Sequence, residues 1–419
     1  GKLSQCGFLT DNCWSSALFL SNPSDTMKEH LFRHLCFAAA LAVVFAACST
    51  PNQATHSGSV TLQRDFIGAF ADSLEKGLDQ TQYGYSIAIY SGSKLVLNRS
   101  AGQRSKDGDK EGAQPFTNDT RIHIASLSKT ITSMATLELL EEKGISLSDS
   151  IYKFLPVHWQ LSPSFKSITF HQLLTHTSGL RYKDGSCNNS DANTYSSLRA
   201  MAERKIDRSK TYCYQNANFG FLRLILPVIN GLTLTGNDAQ DDLATQRAYE
   251  QLVQQRVFDK SGIDSAHCEW QPGYALLYDY PYTGRPGFNA GNLTGRAGGL
   301  GWYLTANELG KVLSHLSDTT DQTILPNNWK DSLLQKGYGS FATETTKGTA
   351  YWHDGIWHWS PNGQVPQGMR SLWMKLPYEN MTVVLLVNAL REQGKTAAFP
   401  VANKGIMTYV VSAFNAAVK

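Results

Sequence analysis

The order of short elements predicts an α/β protein of the α+β kind. It has a central antiparallel sheet flanked by helices and an inserted all-α domain. Three observations carry this expectation. Strand-like runs cluster near the two ends of the chain, Tyr83–Tyr90 and Lys94–Asn98 at one and Ala350–Ile356, Gly368–Leu376 and Met381–Asn388 at the other. Between them, residues 150–295 mix short helical stretches with Gly/Asn/Asp-rich loops. No regular alternation of strand and helix occurs, so a doubly wound parallel sheet is disfavoured.

Each element has a local reason. Asp65–Leu78 places Phe66, Phe70, Leu74 and Leu78 on one helical face. Ser91-Gly92-Ser93 joins the first two strand runs as a hairpin. Ser128–Lys143 reads as a helix ending at Gly144, a residue suited to the left-handed C-cap. Glycine-rich Ala297–Tyr303 leads into a helix at Ala306–Leu316, and Lys404–Ala417 is a last helix. Residues 63–149 and 296–419 are thereby expected to form the α/β domain and 150–295 the helical domain.

Composition narrows the function. Of 419 residues, 42% are hydrophobic and 17% charged, which excludes extended disorder. The net charge is only +3 with no dense Lys/Arg block, which argues against a nucleic-acid partner. Seven cysteines form no CxxC or Cys/His array, which argues against a metal and against a disulfide-dense scaffold.

The first residues read as an address. Residues 1–26 carry no usable pattern and are taken as upstream sequence. Met27–Cys48 has Lys28 and Arg33 followed by an uncharged apolar run, Leu35–Ala47, of 13 residues. A bilayer span needs roughly 20 residues, so the run suits a signal peptide instead. Ala46-Ala47-Cys48 resembles the lipobox of bacterial lipoproteins, with Phe45 where leucine is usual. The expectation is a signal peptide over 27–47, a lipid on Cys48 and a polar tether over 48–62, facing the periplasm; plain cleavage into the periplasm is the alternative. In that oxidising compartment Cys187 and Cys213 could pair, but with Cys268 present no connectivity follows.

Ser126 and Lys129 form an S-x-x-K pair at the start of a long helix. Residues three apart share a helical face, so the amine can meet the hydroxyl. The nearby helix N-terminus favours a developing oxyanion. Ser73/Lys76 and Ser91/Lys94 match the same spacing, but in an amphipathic helix and a hairpin turn. Taken alone, Ser126 is equally readable as an N-cap with Lys129 solvated. A lysine at its ordinary pKa near 10.4 cannot accept a proton at neutral pH. Burial or a partner must shift it, and the phenol of Tyr214 could act as base toward Ser126 and return the proton to a leaving group. Asn216 offers an amide to the lysine and to a substrate carbonyl.

Together these residues resemble the serine β-lactamase-like superfamily, in its branch of class C β-lactamases, D-alanyl-D-alanine carboxypeptidases and family VIII carboxylesterases. Ser126-Leu127-Ser128-Lys129 matches the first motif and Tyr214-Gln215-Asn216 the second. His171–Leu180 (HQLLTHTSGL) looks like a family signature between them. Ala297–Leu300 followed by Thr305–Leu309 is similar to the later glycine-rich turn and helix, and His353-Asp354-Gly355 takes the place of the K-T-G or H-x-G motif. The resemblance implies a β-lactamase/transpeptidase-like fold, a site between the two domains and an acyl-enzyme on Ser126 without cofactor or metal. It also implies an oxyanion hole from the backbone N–H groups of Ser126 and Ile356.

His353 stands where the β-lactamases and peptidases mostly carry a lysine that holds the substrate carboxylate. Ile356 and the aromatic stretch after it suggest an apolar entrance, and Trp352, Trp357 and Trp359 either line it or pack beneath a loop. The sequence therefore favours a lipid-anchored hydrolase of carboxylic esters. A β-lactamase or D-alanyl-D-alanine carboxypeptidase is the alternative. A noncatalytic lipoprotein that binds peptidoglycan or peptides is the rival of another class. His171 and His176 read as structural residues of the loop.

Overall fold

The computed structural model describes residues 54–187, 193–393, 396–398 and 405–418. The signal-peptide and Cys48 expectations lie outside the described residues. Six strands, labelled in chain order, make the main sheet: β1 (Tyr85–Ser91), β2 (Lys94–Ala101), β3 (Phe341–Thr345), β4 (Gly348–Trp359), β5 (Gln367–Lys375) and β6 (Met381–Val387). They lie side by side as β3-β4-β5-β6-β1-β2, all antiparallel. The N-terminal hairpin is thus zipped onto the C-terminal strands, with Tyr85 opposite Val387 and Ser91 opposite Met381. Short segments at one end of β5, including Tyr278–Asp279 running parallel beside Ala389–Leu390, complete the sheet.

Among the described residues nine α-helices accompany it: α1 (Ala54–Leu78), α2 (Ser128–Lys143), α3 (Phe170–Leu174), α4 (Tyr195–Glu203), α5 (Asn216–Ile229), α6 (Asp238–Val253), α7 (Ala306–Ser314), α8 (Asn327–Lys336) and α9 (Ile406–Ala417). Strand residues alternate between two cores, as the pleat requires. Ile87, Ile89, Leu372, Met374, Val383 and Leu385 face Phe66, Phe70 and Leu74 of α1 and Val410 and Phe414 of α9. Each such side chain, fully buried, contributes about 1.5–3 kcal/mol. Ala88, Tyr90, Trp373, Val384 and Leu386 face the opposite way, into a core shared with Ile131 of α2, Leu222 of α5 and Leu252 of α6. The helical stretch and the sheet therefore share one core, and Leu62–Lys419 is one compact unit.

Three boundaries differ from the sequence expectation. Helix α1 begins at Ala54, so the last part of the expected tether is helical. The nearest strong breaker is Pro51, and polar side chains alone do not interrupt a helix. Strand β4 continues past Ile356 to Trp359, which pairs with Gln367. The aromatic stretch is thus partly sheet, as its β-prone residues allow. Helix α7 ends at Ser314, two residues early. Gly144 caps α2 with φ 63°, as expected. Cys187 and Cys213 form a disulfide, leaving Cys268 buried and free.

Candidate active site

Ser126 lies in a single 3-10 turn, Ala125–Leu127, that runs directly into α2. Ala125 takes a left-handed backbone, φ 48°, which costs a non-glycine residue about 1–3 kcal/mol unless neighbours hold it. They do. The Ile124 N–H donates to Trp302 O at 2.9 Å, and Ser371 Oγ donates to Ile124 O at 2.8 Å. Ser128 Oγ donates to Ala125 O at 2.8 Å. On β4, Gly355 lies so close that a Cβ there would meet Ser371 Oγ at 2.1 Å and Ile124 O at 2.6 Å. The glycine is what lets the strand pass beside the nucleophile turn. Ser126 stays half-exposed while Ala125, Leu127, Ser128 and Lys129 are buried, so its hydroxyl is the reachable group.

Lys129 Nζ sits one helical turn on, with three partners: Ser126 Oγ at 3.0 Å, Asn216 Oδ1 at 2.7 Å and Gly299 O at 2.7 Å. Its side chain is fully buried. Desolvation brings the amine down to about 7, against a smaller opposing pull from Asp354. That carboxylate is itself paired with Arg370 Nη2 at 2.8 Å. A neutral amine has two N–H donors and one lone pair. Asn216 and Gly299 offer only acceptors to it, so they take the two hydrogens and the lone pair is left facing the Ser126 hydroxyl.

Asn216 is the first residue of α5, and Tyr214 lies on the extended segment before it. The phenol of Tyr214 is hydrogen-bonded to Ser126, and burial pushes its pKa up, so it keeps its proton. Lys129 Nζ lies 4.9 Å from the centre of the Tyr214 ring. The four residues Ser126, Lys129, Tyr214 and Asn216 singled out from the sequence thus converge. Of the two, burial brings the amine of Lys129 toward its neutral form and keeps the phenol of Tyr214 protonated.

In sequence Gly299 reads only as part of a glycine-rich turn. Its carbonyl reaches Lys129 because Gly298 presses against α5, where a Cβ would meet Phe219 O at 2.1 Å. Backbone carbonyls carry no sequence signature; the paired glycines were the one available sign.

His353 is buried beside Phe341 and Tyr214, with ring centres 4.8 and 6.1 Å away. Its Nδ1 donates to Asp354 O at 2.6 Å. Burial, then the charge of Lys129, take it down to about 3, so it is a neutral imidazole at working pH. It is no substitute for a cationic lysine. By strand alternation Gly355 and Trp357 share a face, and Ile356 directs its side chain to the other. Ile356 can therefore bring only its backbone to the site, which corrects the expectation that it forms an apolar entrance. Trp352 packs into the core of the terminal helices. Trp357 and Trp359 stack with Phe288, at 5.6 and 6.1 Å between ring centres, a partner the sequence did not suggest. His171 is a structural residue, bonded through Nδ1 to the Tyr338 hydroxyl at 2.9 Å.

The lone-pair arrangement predicts a pH dependence. Below about 7 the Lys129 amine is charged and holds no free pair, so the rate at which a fluorophosphonate labels Ser126 should fall about tenfold per pH unit there and level off above it. Lys129→Arg, whose guanidinium never deprotonates, should abolish labelling at every pH. By linkage the unfolded chain binds the extra proton between about 7 and the ordinary lysine value of 10.5, so this group makes stability rise with pH across that window.

Comparison with known proteins bears on the fold and the family. A curated relative, a teichoic acid D-alanine hydrolase of Staphylococcus aureus, is 25% identical over 259 residues, covering 58% of this chain and 56% of that protein. The chain thus spans a little over half the length of that relative. A D-amino acid amidase of Ochrobactrum anthropi SV3, solved with D-phenylalanine, superposes with TM-score 0.63 at 17% identity, covering 84% of this chain and 99% of the other. EstCE1, described as a hydrolase with promiscuous acyltransferase activity, gives TM-score 0.61 at 16% identity, with coverage of 86% and 99%. These two likenesses show the fold. The Beta-lactamase family profile matches residues 70–404, most of the sequence, and the chain belongs to the Beta-lactamase family.

Proposed function

We propose that the protein is a serine hydrolase that cleaves carboxylic esters or related acyl compounds through an acyl-enzyme on Ser126. The observation that carries this reading is the Lys129 amine, buried and with both hydrogens committed, at 3.0 Å from Ser126 Oγ. Lys129 takes the serine proton as Oγ adds to the carbonyl carbon. The backbone N–H groups of Ser126 and Ile356 receive the oxyanion. As the carbon–oxygen bond to the leaving group breaks, Tyr214 gives its phenolic proton to the departing alkoxide and is reprotonated from Lys129. Water then adds to the acyl-enzyme by the same path in reverse, releasing acid and free serine.

A neutral His353 supports esters with an uncharged leaving group over substrates recognised by a carboxylate, such as β-lactams and D-Ala-D-Ala termini. Within esters and amides, the names of the relatives favour an acyl group derived from a D-amino acid as a second reading. The proposal extends to the cell envelope: the pattern over Met27–Cys48 supports cleavage before Cys48 and a lipid on its thiol, facing the periplasm. Cys48→Ala should then move the protein from the membrane to the soluble fraction.

Ser126→Ala should abolish hydrolysis of a short p-nitrophenyl ester while leaving the thermal midpoint within a few degrees. Wild-type protein should hydrolyse that ester faster than nitrocefin or a D-Ala-D-Ala peptide. Full activity in Ser126→Ala would refute the nucleophile. Absence of any Ser126 adduct with either fluorophosphonate or penicillin, read by mass spectrometry, would favour the noncatalytic binding protein.

A further inference from the structure

We propose that His176 is the positioning residue of Tyr214, holding the peptide on both sides of the phenol so that its hydroxyl meets Ser126. The inference rests on the catalytic reading of Tyr214 above. His176 is buried just beyond α3, in a left-handed backbone of φ 57°. Its carbonyl accepts from the Cys213 N–H at 2.9 Å, and its Nδ1 accepts from the Gln215 N–H at 3.2 Å. The two amides that flank Tyr214 therefore end on one residue. The imidazole also lies against the phenol ring, with centres 4.4 Å apart and planes inclined by 31°.

The acceptor state of Nδ1 is fixed by its surroundings. A second donor, Asn218 Nδ2, reaches it at 2.9 Å. The orientation of that amide is set in turn by Ser178 Oγ, which donates to Asn218 Oδ1 at 2.6 Å. With two N–H groups aimed at Nδ1, the ring proton belongs on Nε2. Lys129 and His353 are the charged or titratable groups that bear on the ring most, with Tyr214 lying tilted against it and Tyr212 meeting it edge-on. Burial, then the Lys129 charge, hold the imidazole well below its ordinary value, so Nδ1 remains an acceptor through the working range.

The neighbouring residues serve the same end. Gly179 takes φ 84°, and a Cβ there would meet Asp207 O at 2.1 Å, so the turn after His176 closes only with glycine. The Cys187–Cys213 disulfide ties down the residue immediately before Tyr214. A ring that merely filled space would not need the Nδ1 contact, which His176 makes to the Gln215 N–H.

Two substitutions separate positioning from packing. His176→Phe keeps a stacking ring and removes the acceptor, whereas His176→Asn places an amide oxygen near the position of Nδ1. For the p-nitrophenyl ester, His176→Phe should lower kcat about 10–100-fold with KM within about twofold, and His176→Asn should restore kcat to within about threefold of wild type. In the Tyr214→Phe background, adding His176→Phe should cost nothing more, because the group it positions is gone. Equal kcat for the two His176 variants, or wild-type kcat in His176→Phe beside an inactive Tyr214→Phe, would overturn the proposal. Full activity in Tyr214→Phe would instead refute the role of Tyr214 itself, and the proposal with it. If His176→Phe does not fold, Ser178→Ala reads the same chain of bonds. It should lower kcat about threefold at unchanged KM, and an unchanged kcat would overturn the proposal.

Discussion

A buried amine with two of its three hydrogen-bonding directions already spoken for is the constraint on which the site depends. Burying an ammonium is expensive, and the protein avoids that cost by letting Lys129 lose its proton near neutrality. Asn216 and Gly299 then do more than satisfy it. As acceptors they take its hydrogens and leave the lone pair on the side of Ser126. Either acceptor lost would free the amine to rotate, and a water could take the position of the serine.

Much of the remaining structure serves to bring those carbonyls and that hydroxyl together. Gly298 allows the turn to press onto α5, which places the Gly299 carbonyl and Asn216 on one amine. Gly355 allows β4 to pass against Ile124 and Ala125, which holds the strained turn carrying Ser126. The sheet is what makes this approach rigid. Strand β4 is paired along nine residues of β5, and β5 is paired with β6 in the middle of the sheet. Helices α1 and α9 cover its far face without touching the chemistry.

The parts legible in sequence were those written in side chains at short range. Ser126 lies three residues before Lys129 where a turn runs into α2, a spacing that allows them to meet, and the ordered motifs further along the chain singled this pair out. The parts that were not legible depend on the third dimension. The charge state of His353 follows from burial, which its neighbours in sequence do not reveal. The Gly299 acceptor is backbone, and the Cys187–Cys213 pairing depends on how a helical segment folds back. Polar composition misplaced the start of α1, because a helix needs only the absence of a breaker. The side chain of Ile356 reads from sequence as part of an apolar entrance, whereas alternation along β4 turns it to the opposite face from Gly355.

The ionisation of the Lys129 amine can be measured directly. With 13C-labelled lysine and the Lys129 signal assigned by its loss in Lys129→Arg, an NMR titration of the free protein follows Cε as the amine changes state. The midpoint should fall at about 7. A midpoint above about 9, near that of a solvated lysine, would contradict it.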